Sequence, residues 1–342
     1  MPDTEDARRG ATIYSVADDA GVSIATVSRV LQESPLVSDR TRQKVVEAMD
    51  RLDYLPSGAA RSLAVRQHHT HGLVLPELNG PYFAELLVGF ETRAAELEQS
   101  VMVVLAGTRE DRRAAVRRLA TRVDGIAVHG AGTSDIGRGA KPVVVVAGDV
   151  QPGVEAVSAE NPESARRLTE HLLGHGRSRL LFVGAVDMAP DVRERYAGFV
   201  TAHEDRGLAP AQPVLAEYRE HEGTRIADLL LSGELSADAV FCGNDELALA
   251  LMARLIDSGV DVPGDVAVVG WDDVMTARYV RPGLTTVRQP VHELGALAAD
   301  RLYDLVNGAT PRPHRQVLPT EVVLRASCGC RPDPAVPAAR HH

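Results

Sequence analysis

The chain has little of several residue types, and each shortage excludes a class of protein. Among 342 residues there are three cysteines, one tryptophan and 4% aromatic residues, which is too few cysteines for the disulfide framework of a small secreted domain. No apolar run reaches the about 18 residues that a membrane span needs, and the polar N-terminus contains no signal peptide. We therefore expect a cytoplasmic protein with reduced thiols and no membrane partner.

Motifs for catalysis and metal binding are missing as well. The sequence contains no GxxxxGK[ST], HExxH or GxSxG pattern, each of which would indicate a defined reaction class. Its histidines are too scattered to predict a metal site, and Cys328-Gly329-Cys330 alone supplies too few ligands for structural zinc. No catalytic residue, metal or cofactor is predicted.

Negative charge is in excess over the whole chain but not near its beginning. The net charge is -10, which argues against a protein coated with nucleic acid. Residues 24–66 nevertheless hold seven basic and five acidic side chains. Any phosphate contacts made there should be few and selected by position.

The most informative stretch is residues 12–31, TIYSVADDAGVSIATVSRVL. Apolar residues recur at steps of three and four in both halves, as they do in short amphipathic helices. Between them, Gly21 can adopt the positive φ that ends one helix, and Ser23 can cap the next. The pattern predicts a helix-turn-helix, in which the second helix enters the DNA major groove.

A third helix and a linker follow. Ser38 can cap a helix that runs to about Leu52, and Pro56 ends this all-α headpiece. Residues 57–64 form a helix-competent segment whose one large apolar residue is Leu63; a helix this short should form only against a partner. Residues 1–11 read as a disordered tail and residues 65–71 as a linker.

Beyond residue 71, apolar strand-like runs alternate with helical periods. This alternation is typical of parallel sheets covered on both faces, and about 250 residues suit two lobes. Asn161 and Asn244 mark helix starts after strand ends, and Pro290 begins a late helix. The predicted strands are 72–75, 101–105, 125–129, 143–147, 180–184, 214–218, 239–242, 266–270 and 321–325.

Several motifs together resemble the lactose repressor (LacI/GalR) family of bacterial transcription regulators. The similarity extends from about residue 12 to 327. It is carried by Gly21-Val22-Ser23, Ala25-Thr26-Val27-Ser28-Arg29-Val30-Leu31, Tyr54-Leu55-Pro56, Pro81-Tyr82-Phe83-Ala84-Glu85-Leu86, Asn244-Asp245, Gly270-Trp271-Asp272-Asp273, Pro282-Gly283-Leu284-Thr285-Thr286 and Leu318-Pro319-Thr320-Glu321.

The resemblance implies a domain order. A helix-turn-helix headpiece (12–56) precedes a hinge helix and linker (57–70), a two-lobed, periplasmic-binding-protein-like α/β core with parallel sheets (71–327) and a flexible tail (328–342). The first lobe comprises about 71–160 and 290–319, and the second about 161–289 and 320–327. Since no leucine heptads follow Cys330, we expect a homodimer without a tetramerising coiled coil.

The resemblance also implies the DNA contacts. Arg29 suits guanine or phosphate because its planar fork binds two acceptors, although it could merely cap or solvate its helix. Leu63 matches the leucine that paired hinge helices wedge into the minor groove of a pseudo-palindromic operator, although it could be a solvated linker residue. The full set is Thr12, Ser23, Ile24, Ala25, Thr26, Ser28, Arg29, Ala60 and Leu63.

Six further residues match positions that contact or wall the effector in this family. They are Tyr82, Phe83, Arg195, Tyr218, Asn244 and Asp272. Such donors and acceptors beside aromatic faces suit a sugar first and a nucleoside or nucleobase second. Asn244 could instead only cap a helix, Asp272 could be structural, Tyr82 and Phe83 could be core residues, and Arg195 could belong to a solvated ion-pair face. Asp149 is displaced from the acid expected after the fourth strand, which puts that contact in doubt.

These features predict a repressor of sugar-utilisation genes whose operator affinity responds to a ligand between the lobes. The ligand could also be a corepressor. Two alternatives belong to other classes: a sugar-binding transport protein, which should carry an export signal and lack the headpiece, and a sugar-acting α/β enzyme, which should turn over its ligand.

Overall fold

A computed structural model describes residues 11–31, 34–54, 68–130, 141–149, 153–311 and 315–330. The chain divides into two compact units, Met1–Thr70 with Arg122–Asp124 and the remainder. Within the described ranges, no helix combines the length and the apolarity that crossing a membrane requires.

The first unit contains helices α1 (Ile13–Ala20), α2 (Ile24–Leu31) and α3 (Asp39–Arg51). Gly21 ends α1 with a φ of 64°, the left-handed conformation that glycine adopts at low cost. The Ser23 hydroxyl accepts from the Thr26 amide and the Ser38 hydroxyl from the Thr41 amide. The turn and both caps confirm the predicted helix-turn-helix. Its small core consists of Val16, Ala17, Ala20, Val27, Val30, Val45 and Ala48.

Six strands form the sheet of the first lobe, in the order β10-β5-β4-β3-β1-β2. The pairs from β10 through to β1 are parallel. Helices α4 (Pro81–Glu96), α5 (Arg109–Leu119) and α11 (Val291–Val306) belong to this lobe. Its strands are β1 (Thr70–Leu75), β2 (Ser100–Leu105), β3 (Gly125–His129), β4 (Val143–Val146), β5 (Glu155–Ala159) and β10 (Arg315–Leu318).

The second lobe is built on a parallel sheet of β6 (Leu180–Val183), β7 (Ala239–Cys242) and β8 (Ala267–Val269). One face carries an aromatic core that includes Phe182, Phe199, Phe241 and Trp271. An aliphatic core packs on the other face. The helices are α6 (Pro162–Gly174), α7 (Pro190–Glu204), α8 (Glu220–Ser232), α9 (Asp245–Asp257) and α10 (Met275–Tyr279), and β9 (Thr286–Arg288) pairs antiparallel with β11 (Glu321–Val323).

The chain passes between the two lobes after β5, after β9 and after β10. In the first lobe, α4 and α11 pack closely because each has a glycine at the contact. A Cβ on Gly89 would lie 2.0 Å from the His292 carbonyl oxygen, and one on Gly295 would lie 2.3 Å from that of Leu86. The contact therefore brings the two backbones together without intervening side chains.

Several sequence-based expectations are corrected by the structure. The predicted strand 214–218 forms only a single bridge, from Val214 to Val183. Asn161 begins α6 without a side-chain cap; the Glu160 carboxylate accepts from the amides of residues 163 and 164 instead. Cys328, assigned above to the tail, is buried at the end of a 3-10 helix, Ala326–Cys328.

Candidate functional site

A cavity of about 640 Å³ lies between the two lobes of the second unit. This volume is within the range of small-molecule sites. The six predicted effector residues all line this one cavity although five separate segments of the chain supply them: Tyr82, Phe83, Arg195, Tyr218, Asn244 and Asp272.

Arg195 is buried on α7 and is held on several sides. Its Nε donates to Asn161 Oδ1 over 2.8 Å, Nη1 to the Gly243 carbonyl over 2.7 Å, and Nη2 to Asp191 over 2.9 Å. The guanidinium carbon lies 4.6 Å from the centre of the Trp271 ring. Three of the five N–H donors of an arginine are thus occupied, and the others remain for a ligand. Only 3% of Arg195 is exposed to solvent, so this residue does not belong to a solvated ion-pair face.

Asn244 and Asp272 follow the C-terminal ends of neighbouring strands β7 and β8. Asn244 Oδ1 caps α9 by accepting from the Leu247 amide, which leaves its Nδ2 as the donor. Asp272 has a φ of 125°, a strained value for a non-glycine residue. Burial raises the pKa of the Asp272 carboxyl well above its usual range, with Arg195 opposing the shift, and Gln289 donates to its Oδ1.

An aromatic wall faces these polar groups. The rings of Tyr82 and Phe83 pack edge to face at 5.2 Å, and His129 lies 5.7 Å and 5.2 Å from them. Burial lowers the pKa of His129 to about 4, so this imidazole is neutral at pH 7. The Tyr218 hydroxyl is buried and has no hydrogen-bond partner among the described residues. An unpartnered hydroxyl in a cavity wall is a ready contact for a polar ligand.

In the described part of the chain, two ion pairs connect the lobes besides that of Arg315 with Glu194. Arg219 Nη2 lies 3.1 Å from Glu77 Oε2, and Arg193 Nη2 lies 2.8 Å from Asp149 Oδ1. Both side chains of the second pair are about half exposed, and neither belongs to the cavity lining. Asp149 therefore pairs at the surface, in agreement with the doubt about its ligand contact.

His129, Asp191 and Gln289 are among the lining residues that the sequence analysis missed. His129 ends β3, and the carboxyl ends of parallel strands are where ligand crevices form. Asp191 precedes Arg195 by four residues, the spacing of a helical ion pair. These two signals were available, whereas Gln289 follows a three-residue strand with no comparable pattern.

The second predicted surface is α2 of the first unit. Ile24, Ala25 and Arg29 are exposed, as residues that read base edges must be. Three of the other predicted DNA contacts already have local roles. Thr12 forms a capping box with Ser15 at the start of α1, and the hydroxyls of Ser23 and Thr26 lie 2.9 Å apart.

Ser28 is partly buried on the same helix. The remaining predicted contacts, Ala60 and Leu63, lie outside the described residues. Their proposed roles in a hinge helix therefore remain predictions.

Comparison with known families gives two matches along the chain. Residues 12–57 match the model described as bacterial regulatory proteins, lacI family. Residues 169–328 match that of the periplasmic binding protein-like domain. The first range contains the three-helix unit and the second contains most of the second lobe.

Whole-chain similarities agree with these matches. The chain is 30% identical over 341 residues to the HTH-type transcriptional regulator GalR of Escherichia coli (strain K12), covering 97% of this chain and 98% of GalR. A crystal structure of the Lac repressor dimer bound to operator and the anti-inducer ONPF superposes with a TM-score of 0.82 at 27% identity, covering 94% of this chain and 99% of that one. A complex of the transcriptional regulator CelR with cellobiose gives 0.70 at 29% identity, covering 93% and 99%.

Proposed function

Since the chain belongs to the lacI family of bacterial regulatory proteins, we propose that it is a ligand-responsive, sequence-specific DNA-binding regulator. Its helix-turn-helix binds an operator, and a small effector between the lobes alters that affinity. Specifically, it represses sugar-utilisation genes and is released by a monosaccharide or small oligosaccharide. It acts in the cytoplasm and catalyses no reaction.

The lining of the cavity carries the proposal. Arg195 and Asn244 offer donors, Asp272 offers an acceptor, and Tyr82 and Phe83 offer aromatic faces. Ring hydroxyls can both donate and accept, and the apolar faces of a sugar pack on aromatic rings. The CelR relative, whose structure contains cellobiose, supports the same ligand class.

The proposed DNA binding depends on the exposed face of α2. Arg29 binds guanine or phosphate, while Ile24 and Ala25 read thymine methyl groups or shape. A homodimer presents two such helices to a pseudo-palindrome, and Leu63 of each hinge helix enters the minor groove at its centre. The division of the chain into headpiece, hinge and two lobes belongs to this proposal.

A nucleoside or nucleobase is the second candidate effector. The edge-to-face cluster of Tyr82, Phe83 and His129 could stack a planar base, and such a ligand could act as a corepressor. A transport protein has no use for the three-helix unit, and an enzyme would consume its ligand. Measuring ligand turnover separates the enzyme from the regulator.

Selection from randomised duplex oligonucleotides tests the DNA-binding function. The full-length protein should enrich a pseudo-palindrome of about 14–20 base pairs with a flexible central pyrimidine-purine step. A pool without sequence preference would contradict the proposal. A thermal-shift screen of sugars and nucleosides then identifies the effector class, because a ligand that binds only the folded core raises the Tm.

A further inference from the structure

Four potential metal ligands meet on the second lobe, away from the residues that line the cavity. They are His171, His175, Cys328 and Cys330, and their ligand atoms all lie within 4.8 Å of one another. His171 lies on α6 and His175 is the C-cap residue of that helix, while the two cysteines belong to the last described residues of the chain. More than 150 residues of sequence separate the two pairs.

Local backbone geometry brings the two residues of each pair together. His171 and His175 are four residues apart at the C-terminal end of α6, so one helical turn places both rings on the same face. Their ring centres lie 4.5 Å apart. Between the cysteines, Gly329 has a φ of 103°, which a glycine adopts at low cost and which turns both thiols toward those rings.

The distances fit a tetrahedral centre. Cys328 Sγ lies 3.3 Å from His171 Nε2, and Cys330 Sγ lies 3.4 Å from the Nε2 atoms of both histidines. Bond lengths of about 2.3 Å to sulfur and 2.0–2.1 Å to nitrogen give a tetrahedral S–N separation of about 3.5 Å. The four donors already have nearly this spacing, so little movement is needed to coordinate an ion.

Zn²⁺ is the ion that this donor set favours. Two thiolates and two imidazoles in tetrahedral array form a Cys2His2 site, and two negative ligands neutralise the ion's charge in a partly buried position. Thr285 Oγ1, 3.1 Å from Cys328 Sγ, can donate to the thiolate as outer groups commonly do. Cys328 and Cys330 alone offer two ligands, which are too few for a structural zinc site. His171 and His175 supply the other two.

We propose that His171, His175, Cys328 and Cys330 bind a structural Zn²⁺ that fastens the end of the core to α6. The segment it would fasten is already docked on the second lobe, since Ser327 Oγ donates to the Val268 carbonyl and Arg325 to that of Leu284. This segment follows β11, which is the first element of the second lobe after the chain crosses between the lobes for the last time. A metal there fixes one end of that crossing.

Metal analysis of the full-length protein, purified in reducing buffer without chelator or metal-affinity steps, tests the site. We expect about one zinc per chain, and Co²⁺ substitution should give the intense visible bands of tetrahedral thiolate coordination. Cys330→Ser and His175→Ala should lower the zinc content to below about a tenth of an equivalent. Both replace side chains that are not fully buried, so the fold should persist.

Two controls separate this site from adventitious binding. His221→Ala removes an exposed histidine and should leave the zinc content unchanged, as should replacement of His341 and His342 at the chain end. Chelation should lower the Tm of the wild-type protein by about 5 °C or more, and zinc should restore it, whereas His175→Ala should not respond.

Two results would overturn the proposal. One is a wild-type protein that contains no zinc and whose Tm does not rise when zinc is added. The other is a zinc content that Cys330→Ser and His175→Ala leave unchanged, since the ion would then be bound elsewhere. Neither result bears on the proposed regulatory function, which is tested by DNA selection.

Discussion

Two consecutive carboxylates, Asp272 and Asp273, have different roles although both have positive φ values, 125° and 57°. Asp273 is buried and paired with Arg288 and Arg325, so it is structural. Asp272 lines the cavity and accepts from Gln289. Strain at such a position persists when the surrounding structure fixes it, and here the ion pairs of the buried Asp273 do so.

Replacing Asp272 by asparagine tests its role toward the effector. The exchange keeps the shape but turns one acceptor into a donor, so a sugar hydroxyl that donates to this side chain loses its acceptor. We expect affinity for the effector to fall about 10- to 100-fold, measured by calorimetry. Asp149→Asn, the same exchange at a surface ion pair, should change the affinity little. Equal losses in both variants would contradict the assignment.

His129 should make stability dependent on pH. Burial lowers the pKa of its imidazole from 6.5 to about 4, so the unfolded chain takes up the proton first as pH falls. The contribution to the free energy of unfolding is complete above pH 6.5 and is lost as pH falls toward 4, on the order of 3 kcal/mol.

Denaturant unfolding at both ends of that pH range measures this effect. His129→Phe should lose less stability on acidification than the wild-type protein, because it removes a group that titrates differently in the two states. His221→Phe, at an exposed histidine, should retain the wild-type pH dependence. A His129→Phe curve parallel to that of the wild type would refute the assignment.

The sequence identifies individual cleft residues better than it identifies their partners. Arg195, Asn244 and Asp272 were found by resemblance, and all line the cavity. The hydrogen bond from Arg195 to Asn161 and the grouping of two cysteines with two histidines were not found. Both depend on contacts between distant segments, which local spacing does not encode.

The helix pair α4 and α11 offers a test with matched substitutions. A Cβ at Gly295 would lie 2.3 Å from a backbone carbonyl oxygen, whereas one at Gly174 would meet nothing within 4 Å. Gly295→Ala should therefore destabilise the protein by about 1–3 kcal/mol through overpacking. Gly174→Ala should stabilise by up to about 1 kcal/mol, since alanine favours helix. Chemical denaturation should show opposite signs; equal signs would contradict the close contact.

Strands β5 and β10 were not predicted from the sequence because both contain charged residues. β5 begins at Glu155, a charge that reads as a loop but is buried in a bidentate pair with Arg301. β10 is a partly polar edge strand whose Arg315 pairs with Glu194. In both cases a partner far along the chain neutralises the side chain. Buried apolar strands such as β3 and β7 needed no such partner and were predicted with their observed bounds.

At the scale of the whole molecule, the proposed role of Leu63 in a hinge helix is tested by DNA binding. Leu63→Ala should weaken binding to the selected operator about tenfold or more while leaving non-specific binding nearly unchanged. Leu215→Ala, at an exposed leucine of the second unit, is the matched control and should bind as the wild type. Equal losses of specific and non-specific affinity in Leu63→Ala would exclude the minor-groove role.

The two units each have their own core, and the proposed regulator couples them. A ligand can shift DNA affinity only through a difference in its own affinity for the DNA-bound and free proteins. The cleft lies between two lobes joined by three crossings, so closure around a ligand can alter how the lobes are arranged. The central claim is therefore the thermodynamic link between cavity and operator.

Fluorescence anisotropy with the selected operator tests this link most directly, in titrations with and without the ligand identified by thermal shift. We predict that saturating ligand changes the operator Kd about tenfold or more in the wild-type protein. At the same ligand concentration, Asp272→Asn should change far less. A ligand that raises the Tm of the wild-type protein yet leaves its operator Kd unchanged would contradict the account.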